Sequence, residues 1–326
     1  MHVKDLKRSS EHSIMSKLIV EPEYLSESYL PEKLLHRDKE IAELLGNARN
    51  FVSTLVYGPY GSGKSTLVKY VFKSLSGKFV PRYIDCSIYP TTYSVLKEVV
   101  PRGPLILARS NYELIKELKR EVKDKRFIVC LDGFEKLREK DLIRKLLLLG
   151  VTLVLVTDEE ENVSLITDDV RSRLGVLRVN PYTSEQVFDI LKARAEKALA
   201  RWSYTDDILR EIAEKSKGNM TLALNLLRVA AVKAENVGKR IVEEQDIPET
   251  GNSPLELSPD EKVILNILRR EKSIPAGKLY ELYLRAVKYP KSDRSFRAYM
   301  SRLCAKGLVK AYGDKRGRVY EIVEVD

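Results

Sequence analysis

The chain has 326 residues, which is enough for two or three domains, and 44% of them are hydrophobic. Its formal net charge is +10 and its pI is about 9.2, so acidic partners such as nucleic acid come first into consideration. The charge is uneven, because residues 261–326 hold 16 Lys and Arg against 8 Asp and Glu, whereas residues 1–260 hold 41 against 39. A solvated basic surface is the alternative interpretation.

Several classes of protein are disfavoured. Cys86, Cys130 and Cys304 are far apart and lack the spacing of a metal site or a disulfide framework, which fits a reducing cytoplasm. The first residues are polar and show no signal-peptide core. No apolar stretch reaches the about 20 residues that span a bilayer. We therefore expect a cytoplasmic protein without a membrane partner.

Residues 37–181 alternate between helical and strand patterns. This alternation predicts an α/β P-loop domain with a mostly parallel sheet and helices on both faces. The predicted helices are 37–49, 64–75, 111–124 and 139–149, and the predicted strands are 51–58, 81–86, 126–132, 151–157 and 175–182.

The pattern beyond residue 181 is helical and then changes again after a Pro-, Gly- and Ser-containing segment at 247–260. Helices are predicted at 183–199, 204–217 and 219–237, then at 259–271, 275–288 and 293–306. Residues 308–325 alternate around a Gly-Asp-Lys-Arg-Gly tip and predict a β-hairpin, so the C-terminal part has the composition of a winged helix. The predicted parts are 1–36 (N-terminal segment), 37–181 (P-loop domain), 182–248 (helical domain), 249–258 (linker) and 259–326 (winged helix).

The stretch GPYGSGKST matches the phosphate-binding pattern G-x-x-x-x-G-K-[ST] between a predicted strand and a predicted helix. Its glycines let backbone N–H groups surround phosphate oxygens at a helix N-terminus. We expect Lys64 to contact the β- and γ-phosphates of ATP or ADP and Ser65 to bind Mg²⁺. The predicted phosphate-binding residues are Gly58, Pro59, Tyr60, Gly61, Ser62, Gly63, Lys64, Ser65 and Thr66.

Polar residues follow two further buried strands. Asp132 ends the strand 126–132 and is the predicted second magnesium contact, with a turn-capping role as the alternative. Thr157 ends the next strand, where a polar residue can lie near the γ-phosphate. The acidic loop 158–162 that follows fits solvated surface better than chemistry.

The helix 293–306 has one apolar face, made by Phe296, Met300 and Leu303. Its basic residues point elsewhere, and such a helix can enter a major groove while a basic hairpin tip contacts phosphates. A winged helix used for protein contacts is the alternative. The predicted DNA-binding residues are Arg294, Arg297, Ser301, Arg302, Lys306, Lys315, Arg316 and Arg318.

Three segments together resemble the archaeal origin-recognition (Orc/Cdc type) replication initiators, a family of AAA+ ATPases. They are YLPEKLLHRDKEIAEL, VNPYTSEQVFDILKARAEKAL at 179–199 and SKGNMTLALNLLRVAAVKAENVG at 216–238, and the C-terminal RSFRAYMSRLCAKGLVKAYGDKRGRVYEI resembles the family's winged helix. The resemblance implies that Pro31, His36 and Arg37 line the nucleotide site and that Tyr182 and Ile190 flank the base. It also implies that residues 1–36 line the nucleotide site and that residues 182–248 form a helical lid. A DNA-contacting helix is implied within residues 90–111, with Arg102 and Arg109 as candidates.

The departures from the family lie in the hydrolytic residues. Gly133 stands where the family has the glutamate that activates water, and Thr221 stands where it has an arginine that contacts the γ-phosphate. Thr157 replaces a common asparagine. Glu135 would need an unusual turn to reach the water, and its role as a substitute base is the alternative to weak or absent hydrolysis. Candidates for an intersubunit arginine finger are Arg171 and Arg173.

The resemblance therefore predicts a replication initiator that binds ATP or ADP with Mg²⁺, binds double-stranded DNA at origins and hydrolyses ATP weakly. A paralogous initiator or a replicative helicase are the further partners it suggests. Two alternatives remain open: a P-loop transcriptional or signalling regulator with a winged helix, and a catalytically degenerate partner of an active initiator.

Overall fold

The computed structural model describes residues 17–77, 79–100, 110–248, 258–287, 290–305, 308–313 and 317–322. The chain divides into two compact units, Met1–Pro248 and Glu249–Asp326. The finer partition that the sequence predicts within the first unit stays a prediction.

A parallel sheet forms the centre of the first unit. Within the described residues it has five strands in the order β2-β3-β4-β1-β5. They are β1 (Thr54–Tyr57), β2 (Phe79–Asp85), β3 (Arg126–Asp132), β4 (Thr152–Thr157) and β5 (Gly175–Arg178). All five were predicted, but β5 ends four residues early, because the chain leaves the sheet at Asn180 and Pro181, and proline has no N–H for the ladder.

Helices cover both faces of this sheet, as predicted for the fold class. They are α1 (Asp38–Arg49), α2 (Lys64–Lys73), α3 (Thr92–Val99), α4 (Asn111–Glu121), α5 (Asp141–Leu148) and α6 (Asp168–Arg171). Because strand side chains alternate between faces, Ile128 and Cys130 of β3 pack with α1 and α2, whereas Val129 and Leu131 pack with α3, α4 and α5. This layering fixes the loops at the carboxyl end of the sheet, where β1 and β3 deliver the predicted site residues.

Three helices form the lid: α7 (Ser184–Ala198), α8 (Asp206–Ser216) and α9 (Met220–Asn236). The N-terminal segment belongs to the same core, since Leu18, Ile19 and Leu25 are buried with these helices. The backbone N–H of Val20 donates to the carbonyl of Ala198 at 2.8 Å. The sequence predicted only that this segment lines the nucleotide site, so its packing into the lid is an additional finding.

The second unit contains α10 (Pro259–Glu271), α11 (Ala276–Ala286) and α12 (Asp293–Ala305), with β6 (Ser273–Pro275), β7 (Val309–Tyr312) and β8 (Val319–Ile322). The strands form an antiparallel sheet in the order β6-β8-β7. Leu268, Leu279, Tyr283 and Leu303 lie in its core. This is the predicted winged helix. The sequence missed β6, because three residues are too few to show an alternating pattern.

Among the helices of the described residues, none is both long and apolar enough to cross a membrane.

Candidate functional site

The phosphate-binding loop connects β1 to α2 and depends on its glycines. Gly61 and Gly63 have φ angles of +80° and +88°, in the left-handed region that L-residues rarely adopt. A Cβ atom at Gly58 would stand 2.0 Å from the carbonyl oxygen of Val179. The loop therefore keeps its tight path only with glycine at these positions.

Lys64 is buried at the first position of α2. Its ammonium group donates to the carbonyl oxygens of Gly58 at 2.7 Å and Pro59 at 2.9 Å. It also forms an ion pair with Asp158, with 2.7 Å between Nζ and Oδ1. Since an ammonium group has three donors, the loop and Asp158 together satisfy this buried charge. A phosphate group would have to replace at least one of these partners to reach Nζ.

Ser65 and Asp132 meet at the end of the sheet. The Ser65 hydroxyl donates to Asp132 Oδ2 at 2.6 Å, and the Tyr83 hydroxyl donates to the same oxygen. Burial, together with the charge of Asp132, raises the pKa of Tyr83, so this phenol stays a donor at neutral pH. A hydroxyl and a carboxylate are oxygen ligands of the kind that Mg²⁺ takes beside nucleotide phosphates, so this pair fits the cation. In the described part of the chain, no cluster of three or more His, Cys, Asp or Glu residues could hold a metal by itself.

The turn after Asp132 is left-handed. Gly133 has φ 68° and ψ 45°, and a one-turn 3₁₀-helix, Phe134–Lys136, follows directly. This turn brings Glu135 to the wall of a polar cavity of about 400 Å³. Thr157 lines the same cavity, and its hydroxyl accepts a hydrogen bond from Asn162 Nδ2 at 3.0 Å. The cavity walls also include Tyr60, Gly61, Gly63, Lys64, Ser65, Thr66, Asp132, Asp158 and Thr221.

A second, mainly apolar cavity of about 280 Å³ adjoins the loop on its lid side. Pro31, Tyr182 and Ile190, which the resemblance assigned to the base, line it together with Met220 and Leu224. Gly63 and Thr66 border both cavities, so the two are continuous along the loop. A flat apolar base and a charged polyphosphate would find matching surroundings on the two sides.

The side chains of His36 and Arg37 both contact other residues of the protein, and their assignment to the nucleotide site stays a prediction. His36 Nε2 lies 2.9 Å from Asp189 Oδ2. The buried Arg37 donates from Nη2 to the carbonyl oxygens of Ser62 at 2.8 Å and Asn180 at 2.7 Å, and its guanidinium lies 3.9 Å from the Tyr182 ring centroid. Arg37 thus stabilises the phosphate-binding loop through the carbonyl group of Ser62. Neither His36 nor Arg37 is part of the apolar cavity wall.

Sequence reasoning missed Arg194. This buried residue donates from its guanidinium to the carbonyl oxygens of Tyr24 at 3.1 Å and Tyr29 at 3.4 Å, and the guanidinium lies 4.3 Å from the Tyr29 ring centroid. Burial lowers the pKa of Arg194 to about 10, so it remains a cation at neutral pH. The sequence did carry a signal, because residue 194 falls on the same helical face as the buried Val187 and Leu191.

The lid touches the phosphate-binding loop directly. Asn219 caps α9 through a 2.9 Å hydrogen bond that Oδ1 accepts from the N–H of Leu222. The same Oδ1 lies 1.9 Å from where a Cβ atom on Gly61 would stand, and the N–H of Met220 donates to the Gly61 carbonyl at 2.9 Å. Thr221, at the position where the family has an arginine, therefore lies beside the loop and lines both cavities.

The two arginine-finger candidates lie on or just after α6 and are exposed. Arg171 donates to the carbonyl oxygen of Ile166 at 3.1 Å and is 3.5 Å from Asp168. Both residues stay predictions, because their role needs a neighbouring subunit.

In the winged helix, α12 buries Phe296, Met300 and Leu303 and exposes Arg297 and Ser301. Arg297 is paired with Asp293 at 2.8 Å. Arg318 is exposed next to the start of β8. The remaining predicted contacts lie outside the described residues, either whole (Lys306, Lys315, Arg316, Arg102, Arg109) or in their side chains (Arg294, Arg302). The DNA contacts therefore stay predictions.

The chain is similar to known proteins over most of its length. The family model of the Cdc6 AAA+ ATPase-type lid domain matches residues 188–252. The "ORC1-type DNA replication protein 9" of Halobacterium salinarum is 23% identical over 94% of both chains, and the "ORC1-type DNA replication protein" of Desulfurococcus amylolyticus is 27% identical over 93% of this chain and 90% of its own.

Two solved structures share the fold over 94% of both chains. Cdc6p from Pyrobaculum aerophilum has a TM-score of 0.62 at 23% identity. The Aeropyrum pernix ORC1 protein, solved in complex with DNA, has a TM-score of 0.66 at 24% identity. At this level of identity these structures establish the fold.

The chain thus shares its fold with the solved Cdc6 and ORC1 structures, and part of it matches the Cdc6 AAA+ ATPase-type lid model. The resemblance to the archaeal Orc/Cdc-type initiator family that the sequence indicated is confirmed.

Proposed function

We propose that this chain is a replication initiator that binds ATP or ADP with Mg²⁺ and binds double-stranded DNA through its winged helix. The observation that carries the nucleotide half of the proposal is the phosphate-binding loop, which lies between a polar cavity and an apolar cavity. The phosphates bind at the loop and Lys64, and the base enters the apolar cavity against Tyr182 and Ile190. The structural neighbour from Aeropyrum pernix named ORC2, solved in ADPNP-ADP complexes, supports a nucleotide ligand for this fold.

Ser65 and Asp132 would hold the magnesium ion, which supplies charge neutralisation to the β- and γ-phosphate oxygens. Tyr83 keeps the Asp132 carboxylate oriented through its hydrogen bond. The buried Lys64 adds a second positive charge, once it exchanges the carbonyl oxygens of its own loop for phosphate oxygens.

The DNA half of the proposal rests on the basic C-terminal unit and on the relatives. Residues 261–326 carry twice as many basic as acidic side chains, and Arg297, Ser301 and Arg318 are exposed on the helix and hairpin that winged helices present to DNA. The similar proteins of Halobacterium salinarum and Desulfurococcus amylolyticus are ORC1-type DNA replication proteins by name, and the similar ORC1 structure contains DNA. We place the initiator at origins in the cytoplasm, with a paralogous initiator or a replicative helicase as further partners.

A catalytically degenerate partner of an active initiator is the second candidate. The observation that favours it is the pair of departures at Gly133 and Thr221, both on the wall of the polar cavity. If this chain has that function, a mixture of this chain and an active paralogue should turn over ATP faster than the summed rates of the two separate proteins.

Nucleotide binding is tested by Lys64→Ala in the full chain, with Lys73→Ala in the last turn of the same helix as the matched control. Titration with a fluorescent ATP analogue in Mg²⁺ should show affinity lowered at least about tenfold for Lys64→Ala, since a hydrogen bond to a charged group contributes about 1.5–3 kcal/mol. Lys73→Ala should bind like the wild type. Equal affinities for all three proteins would refute the assigned phosphate site.

A further inference from the structure

Glu135 lines the polar cavity, although it comes three residues after the end of β3. Gly133 bends the chain through a left-handed conformation, and the 3₁₀-turn after it reverses the chain direction. As a result, Glu135 Oε1 lies 3.5 Å from the point where a Cβ atom on residue 133 would stand. The carboxylate of residue 135 thus occupies the neighbourhood of the side chain that position 133 lacks.

Other carboxylates at this end of the sheet already have partners. Asp132 accepts from Ser65 and Tyr83, and Asp158 is paired with Lys64. Asp85 accepts from the N–H and the hydroxyl of Ser87, at 2.8 Å and 2.6 Å. In each of these groups one carboxylate oxygen already accepts a hydrogen bond or forms an ion pair within the protein.

Glu135 differs from them. Its Oε2 atom is shielded from solvent and accepts no hydrogen bond within the described residues. A buried carboxylate oxygen without a donor is unfavourable, and proteins keep such groups mainly where a ligand or a reaction uses them. Glu135 lines the same cavity as Lys64, Ser65 and Thr157, so it lies at the wall of the space that the γ-phosphate would enter.

The glycine and the glutamate depend on each other. The turn needs φ of +68° at residue 133, a value that glycine adopts freely and that an L-residue adopts only under strain. Glutamate at position 133 would therefore disfavour the turn that delivers Glu135. Glycine at position 133 therefore allows the turn that places the carboxylate of Glu135 at the cavity wall.

We propose that Glu135 is the general base for ATP hydrolysis in this chain, an inference that rests on the proposed binding of ATP at the phosphate-binding loop. The oxygen of a water molecule bonds to the γ-phosphorus while its proton passes to the Glu135 carboxylate. The bond between the γ-phosphorus and the bridging oxygen breaks, and ADP keeps that electron pair. The products are ADP and inorganic phosphate, and Glu135 then returns its proton to solvent.

The experiment compares wild type, Glu135→Gln and Glu160→Gln in the full chain with Mg²⁺ and ATP. Glu160 lies on the exposed loop after β4 and is not part of the cavity wall, so its substitution makes the same change of charge elsewhere. Single-turnover hydrolysis should be about 10²-fold slower or more in Glu135→Gln and unchanged in Glu160→Gln, since a positioned base contributes about 10²–10⁴-fold. The affinity for a fluorescent ATP analogue should be the same in all three, and after incubation with ATP the acid-extracted nucleotide should be ATP from Glu135→Gln and ADP from wild type.

The outcomes separate this inference from the proposed function. If Glu135→Gln binds and hydrolyses ATP like wild type, Glu135 is not the base. If wild type binds ATP but turns it over no faster than Lys64→Ala, the chain only holds nucleotide, and the base assignment is wrong while the initiator function stands. If no nucleotide binds at all, both the inference and the nucleotide half of the proposed function are refuted.

Discussion

Individual glycines determine where the candidate site residues lie. Gly58, Gly61 and Gly63 shape the phosphate-binding loop, and Gly133 sets the turn that carries Glu135 to the cavity. The sequence motif predicted the first three, because their spacing is specific to the loop. It could not predict the effect of Gly133, because the path of a turn depends on φ values that no local pattern shows.

Replacement of Gly133 by alanine should lower the free energy of unfolding by about 1–2 kcal/mol, the cost of a left-handed L-residue. Gly77→Ala is the matched control, since Gly77 has φ of +73° and open space around its Cα. Urea titration followed by circular dichroism should give similar losses for both variants. ATP turnover should fall only in Gly133→Ala, and equal turnover in the two would show that the turn is irrelevant to hydrolysis.

Arg194 illustrates what residue-by-residue interpretation overlooks. An arginine in a charged helix is usually a surface group, yet this one holds two carbonyl oxygens of the N-terminal segment beside the apolar cavity. Likewise, the sequence did not predict that the planar guanidinium of Arg37 donates to two carbonyl groups while it packs on Tyr182. Long-range contacts of this kind have no period along the chain.

The Arg194→Met variant should lose about 1–3 kcal/mol of stability, because it leaves the carbonyl oxygens of Tyr24 and Tyr29 without their donor. It should also weaken nucleotide binding, since Pro31 and Tyr29 line the apolar cavity. Lys192→Met, an exposed change on the same helix, serves as the control for loss of a positive charge. Thermal melts and ATP-analogue titrations provide the two measurements, and wild-type affinity in Arg194→Met would argue against a role of this segment in binding.

At the scale of elements, hydrophobic periodicity predicted the five strands of the sheet and the longer helices, whereas it did not predict the short α3 and α6. Long amphipathic helices such as α7 and buried strands such as β3 give strong periodic signals. The short β6 and the N-terminal residues that pack into the lid were missed, because a three-residue strand and a single bridge between Ile19 and Leu199 leave no pattern to detect. The resemblance indicated that the start of α9 lies near the γ-phosphate, but the direct contact between Asn219 and Gly61 was not predicted.

This contact between lid and loop can be tested with two helix caps. Asn219→Ala removes the cap of α9 and the side chain that lies against Gly61, whereas Thr205→Ala removes only the cap of α8. Each should lower stability by about 1 kcal/mol. Asn219→Ala alone should change the affinity for ATP or ADP, measured by analogue titration, and equal affinities would mean that the contact does not couple to the nucleotide.

At the scale of the whole molecule, the first unit carries the candidate nucleotide site and the second unit is a basic winged helix. The charge asymmetry along the sequence predicted the location of the basic unit, but it could not distinguish contacts to bases from contacts to phosphates. That distinction depends on the docked geometry of α12 and the hairpin.

The strength of DNA binding should depend steeply on salt. Arg297→Ala combined with Arg318→Ala should lower the slope of log affinity against log salt concentration by about 1.8, since each phosphate contact contributes about 0.9. Arg269→Ala with Arg270→Ala, which removes two exposed charges from α10, is the control in the same unit. Fluorescence anisotropy with a duplex at several salt concentrations measures the slope, and a shallower slope only in the control pair would place the DNA surface on α10.

The central claim is that this chain recognises replication origins. The most direct measurement is capture of sheared genomic DNA from the organism that encodes the chain, at moderate salt and with ATP, followed by sequencing, for wild type and for Arg297→Ala/Arg318→Ala. If the chain is an origin-binding initiator, wild type should give a few sharp peaks with a shared motif at replication start sites, and the variant should lose them. Peaks scattered over promoters, or no enrichment over background, would contradict it.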